Sequence, residues 1–380
     1  RDEWRRFTLS AADIALINPN TRTCPIFRSR RDAELTKVVY RRVPVLVNER
    51  TEANPWGVSF LRMFDMSGDS GLFQTAPGEG LLPLYEGKMF MPYDHRFDNV
   101  VITENIGRPG QAEGTSLADH QNPRFSPCPR FWVETSEVAT RIPRGYKYKW
   151  VIGFKNVTAP TNERTFLSTI FPMAGFGNSI PLMFPLGVQN AQVYACLFVN
   201  LASFIFDFTA RQKMGNVNLN FFIVNQLPVL PPATYSDELL AFIVPRVLEL
   251  TYTAWDVQPF AQDVLREQGS GVRGQGSEEP ITHYPSPITP YVWDEARRFL
   301  LRCELDALYF HLYGISRDDA AYILDTFPIV RRKDEQQHGE YRTRRVILEM
   351  YDEMSAGVAA YVTRLDPPPG DARAAHPASE

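Results

Sequence analysis

The chain has few of the features by which an enzyme is usually recognised. Its 4 cysteines, Cys24, Cys128, Cys196 and Cys303, lie far apart among 380 residues and form no CxxC pair. That excludes a disulfide framework or a thiolate zinc knuckle and fits a reducing, cytoplasmic setting. Its 6 histidines never fall at HxxxH spacing or beside a cysteine, so no metal ligand set is legible. There is no P-loop, nucleophile elbow or G-x-G-x-x-G. The nearest glycine cluster, Gly175-Phe176-Gly177-Asn178, lacks the third glycine and the strand context of a cofactor loop and reads as a turn. An adenine-methylating Asn/Asp-Pro-Pro-aromatic loop is missing too, since Asn54-Pro55-Trp56 has no second proline. The most apolar stretch, residues 180–208, is broken by Gln189, Asn190, Gln192, Asn200 and Asp207. It therefore falls short of the run of about 18 apolar residues that a membrane span needs. Positive charge is not in excess either: the net charge of -4 argues against a uniformly basic nucleic-acid binder.

What is present describes a soluble protein with many turns. Hydrophobic residues make up 44% and charged residues 22%, with 30 prolines against 23 glycines, a composition suited to two or three domains rich in irregular connections. The opening RDEWRRF has neither an initiator methionine nor a signal peptide and reads as a segment of something longer. Between residues 8 and 232, the runs VVYRRVPVLV (38–47), KMFMPY (88–93), RFWVET (130–135) and YKWVIGF (148–154) are rich in β-branched and aromatic residues and predict strands. Helices are predicted over residues 10–17, capped by Ser10, and over 191–213, stopped before Gly215. The segment 207–232, DFTARQKMGNVNLNFFIVNQLPVLPP, joins the end of that helix to an Asn-rich turn and an apolar strand, and reads as a hinge-like connector.

After Pro232 the character becomes helical. Residues 236–255 predict a helix that Pro245 should kink or split. A helix over 293–313 follows, then Ser316 with Asp319 as an N-terminal capping pattern, a charged loop at 331–345 and a helix over 341–364. The fold class expected is α+β: a mixed-sheet recognition domain over 1–232, then an all-α domain over 233–365 with a flexible Gly/Ser-rich insertion at 268–290. The tail, 366–380, is expected to be disordered.

Basic residues gather locally. Residues 21–42 carry seven (Arg22, Arg28, Arg30, Arg31, Lys37, Arg41, Arg42) against Asp32 and Glu34. In residues 141–164, Arg141, Arg144, Lys147, Lys149, Lys155 and Arg164 alternate with Tyr146, Tyr148, Trp150 and Phe154. Extended alternation puts Lys147 and Lys149 on one face and the aromatics on the other, which suits either a phosphate-tracking surface or a half-buried strand. Asp69 with the triplet Glu86-Gly87-Lys88 superficially matches a metal-dependent nuclease. The apolar helix at 293–313 and the loop at 331–345, with six basic and three acidic residues, suit a protein-interaction module.

Several ordered motifs resemble one family. LSAADIALINPNTRTCPIFRSRRDAELTKVVYRRVPVL, LYEGKMFMPYDHRF, NFFIVNQLPVLPP and LDALYFHLYGISRDDAAYILDTFPI are together similar to the C-terminal half of large adenine-specific DNA methyltransferases. These are the fused kind found in Type IIG restriction-modification and phage defence. The resemblance implies a target-recognition domain that holds double-stranded DNA for methylation by an N-terminal catalytic domain outside this chain. S-adenosylmethionine (SAM) would be bound there, with no cofactor or metal held by the present residues and no membrane partner. The DNA-contacting candidates are Asn20, Arg22, Arg28, Arg30, Arg31 and Lys37 near the first motif and Lys88, His95 and Arg96 in the second. Arg144, Lys147, Lys149, Lys155 and Arg164 complete the set.

Overall fold

The computed structural model describes residues 7–101, 110–215, 217–270 and 289–377. Helix α1 (Ala11–Ile17) starts as its sequence implies: Ser10 Oγ accepts the Asp13 amide at 3.1 Å and Asp13 Oδ2 accepts the Ser10 amide at 3.0 Å. This reciprocal pair satisfies donors that a helix otherwise leaves open. Helix α2 (Arg30–Arg42) corrects the expectation of a strand at 38–47. Leu35, Val39, Tyr40 and Val43 are buried while Val38 is exposed, a helical rather than an alternating pattern, and Ser29 caps the start by accepting the Asp32 amide at 3.1 Å. Only residues 44–47 are extended, bonded to the connector through Leu46 N to Leu227 O at 2.8 Å and Val229 N to Pro44 O at 3.0 Å.

The strands follow in two blocks. The first holds β1 (Val58–Leu61), β2 (Leu81–Tyr85), β3 (Asp98–Val101), β4 (Gln111–Gly114), the short helix α3 (Leu117–Gln121), β5 (Trp132–Glu134) and helix α4 (Thr135–Arg141). The second holds β6 (Trp150–Phe154), β7 (Ser168–Pro172), β8 (Gly175–Phe176) and β9 (Leu182–Pro185). An antiparallel sheet has the order β1-β9-β6-β7. A mixed one has the order β5-β2-β8, with β2 antiparallel to β5 and parallel to β8. Residues 88–93 are not a strand: they form turns around the Met91–Asp94 bridge, and Tyr93 takes φ 63, which a strand does not allow.

β6 divides the interior. Its alternate residues Trp150, Ile152 and Phe154 belong to one core and Val151 to the other, as the two-residue period of a strand requires. Gly153 is needed where it stands, because a Cβ there would come within 2.9 Å of both Phe171 and Ile180 side chains.

The helix expected over 191–213 is two, α5 (Ala191–Ala202) and α6 (Phe204–Lys213), bent by 57°. Ser203 makes the break: its Oγ caps the Phe206 amide at 3.3 Å, the local bonding by which serine competes with a continuing helix. The freed Phe204 amide goes to Asp306 Oδ1 at 2.7 Å. No single helix among the described residues is long and apolar enough to cross a membrane. After α7 (Phe221–Val224), a single turn where an apolar strand was expected, come α8 (Asp237–Thr251), α9 (Gln258–Ser270), α10 (Glu295–Leu312) and α11 (Arg317–Asp325). α12 (Pro328–His338) and α13 (Arg342–Glu353) complete the set.

Three further expectations change. α8 runs through Pro245 unbroken, braced by Arg246 Nη1 donating to Phe242 O at 2.6 Å. The 331–345 stretch is mostly α12, with Pro328 in its first turn, an Arg331–Glu335 pair at 2.7 Å and Gly339 closing it at φ 74. The tail is ordered through residue 377: Val292 N donates to Ala374 O at 2.9 Å, His376 N to Pro290 O at 2.8 Å, and Gly370 N to Glu249 Oε2 at 3.2 Å. The insertion read at 268–290 lies outside the described residues except at its ends, where α9 continues through Ser270.

The larger core takes in side chains from Ile17 to Leu365, on both sides of Pro232. Asp207 is its most committed acid. Wholly buried, it accepts Arg164 Nε at 2.6 Å, the Thr165 amide at 2.9 Å and the Phe166 amide at 3.2 Å, with Arg211 Nε at 3.7 Å. Asp207→Ala leaves Arg164 and those amides uncompensated and is expected to lower stability by about 3–5 kcal/mol. Urea unfolding of the variant reads this directly, and a loss under about 1 kcal/mol would remove Asp207 from this role.

Candidate nucleic-acid interface

The first motif folds against the connector. Gln226 sits between them: its Oε1 accepts the Asn20 and Thr21 amides at 3.0 and 3.2 Å, its Nε2 donates to Phe222 O at 2.9 Å, and its carbonyl accepts Tyr40 Oη at 2.8 Å. Asn18 Nδ2 donates to Thr23 O at 2.7 Å, closing a turn in which Arg22 adopts φ 55. The result is a groove of about 580 Å³ between residues 18–28 and the 211–226 stretch. Ile26, 82% exposed, and Phe222, 53% exposed, stand along it.

The cations of this groove differ in freedom. Arg28, on its wall, is exposed and makes no side-chain hydrogen bond or ion pair among the described residues, and the same holds for Arg22, which lies in the adjoining turn but does not line the groove. Arg211, on the inner wall, is spent on Thr326 O at 3.0 Å and on Asn162 O and Glu163 O at 2.8 Å each. Lys213 donates to Ile17 O and to Asn18 Oδ1, and burial pushes its ammonium well below the usual lysine range.

The other candidates divide sharply. Asn20 is a brace, with Nδ2 on Val47 O and Oδ1 on the Glu49 amide, both at 3.0 Å. Arg31 pairs with Asp319 at 3.3 Å and lies over the Tyr322 ring, while Arg30 is exposed. Lys37 is buried against Glu34 at 2.9 Å. Lys88 bonds Gly110 O at 2.7 Å and faces Glu86 at 3.4 Å. Lys155 lies over the Phe90 ring, and Arg164 is held by Asp207 and stacked on Phe204. Arg144 and Lys149 are exposed without a side-chain partner among the described residues, and Lys147 reaches Gln189 O at 3.4 Å. No hydrogen bond or ion pair among the described residues joins these three to the groove.

His95 and Arg96 are interior. His95 Nε2 meets both Asp256 oxygens at 3.0 Å. Arg96, 0% exposed, donates to the carbonyls of His120, Asn122, Phe125 and Thr253 at 2.9 to 3.3 Å. Beside them Asp94 accepts His120 Nε2 at 3.0 Å; burial raises the Asp94 carboxyl, but the histidine outweighs it and holds the group below its ordinary value. A guanidinium this buried, with both Nη groups bonded inside the fold and Nε enclosed without an acceptor, cannot reach a base edge, so these residues fasten the 91–97 loop to α3 and the Thr253 turn. The nuclease set is not assembled: Asp69 faces Arg141 at 3.7 Å, and Glu86 faces Lys88 and Arg130 at 3.4 and 3.2 Å. Among the described residues no group of three His, Cys, Asp or Glu is placed to hold a metal ion.

Sequence reasoning missed Lys213, Ile26 and Phe222. The available signal was that an apolar residue flanked by Thr, Cys, Pro and Arg, as Ile26 is, has no helical or strand pattern to bury it. No family model matches the chain, and no curated protein is significantly similar to it.

A second cavity, of about 700 Å³, lies between the 91–97 loop, the start of α6, α10 and the α12–α13 pair. On its wall burial pushes the Asp306 carboxyl up to about 6, against the pull of Arg164 and Arg302 and with the help of Asp207. A folded-state value raised above the ordinary 3.8 gives a stabilisation complete below that pH and lost as pH rises through about 6. Asp306→Asn keeps the acceptor for the Phe204 amide and removes the titration. Parent and variant are expected to diverge in thermal stability between about pH 4 and 6, the parent losing at most about 3 kcal/mol relative to the variant. Parallel pH profiles would show that Asp306 does not titrate in this window.

Proposed function

We propose that this chain is the DNA-reading part of a site-specific adenine methyltransferase of the restriction-modification or phage-defence kind. It would hold duplex DNA for a catalytic domain that binds SAM and lies outside these residues. The observation that carries this reading is the groove between the first motif and the connector, where the unpartnered Arg28 stands beside exposed apolar side chains, with the unpartnered Arg22 in the adjoining turn. Arg22 and Arg28 are free to meet backbone phosphates, and Ile26 and Phe222 offer apolar contact of the sort made with a thymine methyl. Arg144, Lys147 and Lys149 supply a second exposed basic segment. The ordered motifs of the sequence supply the family context, which the groove alone does not.

A protein-docking reading has its own support in exposed apolar residues near the groove. Val157 is 56% and Val217 55% exposed, on two segments that bond through Thr158 N to Val217 O at 3.0 Å. One experiment separates the two. Duplex affinity of the chain should fall linearly in log-log against salt, and Arg22→Ala with Arg28→Ala should weaken it and flatten the slope by about one unit per lost phosphate contact. No duplex affinity at low salt, with or without the methylase half added, would sink the DNA reading and leave the docking one.

A further inference from the structure

The 700 Å³ cavity shares no lining residue with the groove and is within the size range of small-ligand sites, about 300–1,000 Å³. Besides Arg164, which Asp207 already holds, three arginines line it: Arg298 and Arg302, one turn apart on α10, and Arg342 at the start of α13. None of the three forms a salt bridge among the described residues, although most of the arginines around them do. Arg298 is 3% exposed; it donates to Leu250 O and Tyr93 O at 2.7 and 3.0 Å, and its Nε is buried without an acceptor. Arg302 is half-buried and makes no hydrogen bond among the described residues. Arg342 lies over the Phe299 ring, with Nη1 3.4 Å from His338 Nε2. Burial, with Arg302 adding to it, pushes the Arg298 guanidinium down to about 9.

Asp94 and Glu295 partly offset the Arg298 charge and Asp306 feels that of Arg302, but among the described residues no wall carboxylate forms an ion pair with Arg298, Arg302 or Arg342. Glu163 is taken by Lys333 at 2.5 Å, Glu295 by the Trp293 indole at 2.7 Å, and Asp334 by the Thr343 amide at 2.5 Å. Asp94 is taken by His120 at 3.0 Å, and Asp306 by the Phe204 amide at 2.7 Å. Like charges four residues apart on a helix repel, and a buried guanidinium without an ion-pair partner is costly, so an anion entering beside Arg302 would be favoured. We propose that the cavity binds a phosphomonoester, its phosphoryl dianion held by Arg302 and Arg342, with the buried charge of Arg298 behind them. Guanidinium forks match phosphoryl oxygens bidentately, and Phe97, 39% exposed on the same wall, offers an apolar face to the organic part. A free mononucleotide and the 5′-phosphate of a DNA strand end share this chemistry.

Thermal unfolding and calorimetry of the full chain test it with four probes: adenosine 5′-monophosphate, adenosine, and one duplex with either 5′-phosphate or 5′-hydroxyl ends. The monophosphate, the 5′-phosphorylated duplex or both should raise the melting temperature more than their unphosphorylated counterparts, and which one does so identifies the source. Arg302→Ala should cut that affinity at least tenfold, with Arg302→Lys in between. Because Arg302 has no partner to lose, Arg302→Ala itself should melt no lower than the parent. Equal responses to phosphorylated and unphosphorylated probes, or an undiminished response in Arg302→Ala, would overturn the assignment. The salt slope of duplex binding at the groove should be unchanged in Arg302→Ala, so this proposal and the DNA-reading one fail separately.

Discussion

Compensation of buried guanidinium charge is the constraint on which the rest of this molecule depends. Arg96, Arg211, Arg246 and Arg298 are all under a tenth exposed, and an unpaired charge in such surroundings would cost several kcal/mol, of the order of the whole stability of a domain. The fold answers each one differently. Arg246 has Glu304, which also accepts Tyr361 and Thr363 hydroxyls; Arg96 has backbone carbonyls and the Thr253 hydroxyl but no ion pair; Arg211 shares Asp207 with Arg164. Each solution draws together segments far apart in sequence, so the ion network sets tertiary placement as much as the apolar core does.

That constraint explains which parts were legible in advance. Local signals worked where local physics decides: the Ser10 capping box, the strands at β5 and β6, and the alternation that exposes Lys147 and Lys149 while burying Tyr148 and Trp150. They failed where a distant partner decides. VVYRR has β-branched residues enough for a strand, but Ser29 and the buried stripe from Leu35 to Val43 make it a helix. The motif PYDHRF reads on paper as a cluster of DNA-facing donors, but its Asp94, His95 and Arg96 are interior because Asp256, His120 and the Thr253 turn arrive to meet them. A basic residue in a sequence carries no mark of whether its counter-charge will be a phosphate or its own backbone.

The connector shows the same logic at the level of whole elements. Breaking one helix at Ser203 turns Phe204 N into an orphan donor, and Asp306 of α10 takes it. Three residues earlier Asn200 does the reverse, giving Nδ2 to Tyr313 at 2.6 Å and accepting the Leu230 amide at 3.0 Å. Tyr313 also reaches Pro228 O at 2.8 Å, and the Trp56 indole reaches Leu230 O at 3.1 Å. Residues 227–230 are therefore bonded from β-rich and helical elements alike, which makes the stretch a spine between them.

Against this background Arg302 stands out by contrast. A protein that satisfies Arg96 with four carbonyls and shares one aspartate between two further arginines is not short of means to neutralise charge. Glu295 lies on the same helix, and Asp306 follows one turn after Arg302, yet the first is turned to the Trp293 indole and the second to a helix amide. Repulsion between Arg298 and Arg302 is thus retained, since these acids offset it at a distance without closing an ion pair. Residual charge of this kind, confined to one cavity wall, is what separates a binding site from a structural ion pair: its compensation is left to something that comes and goes.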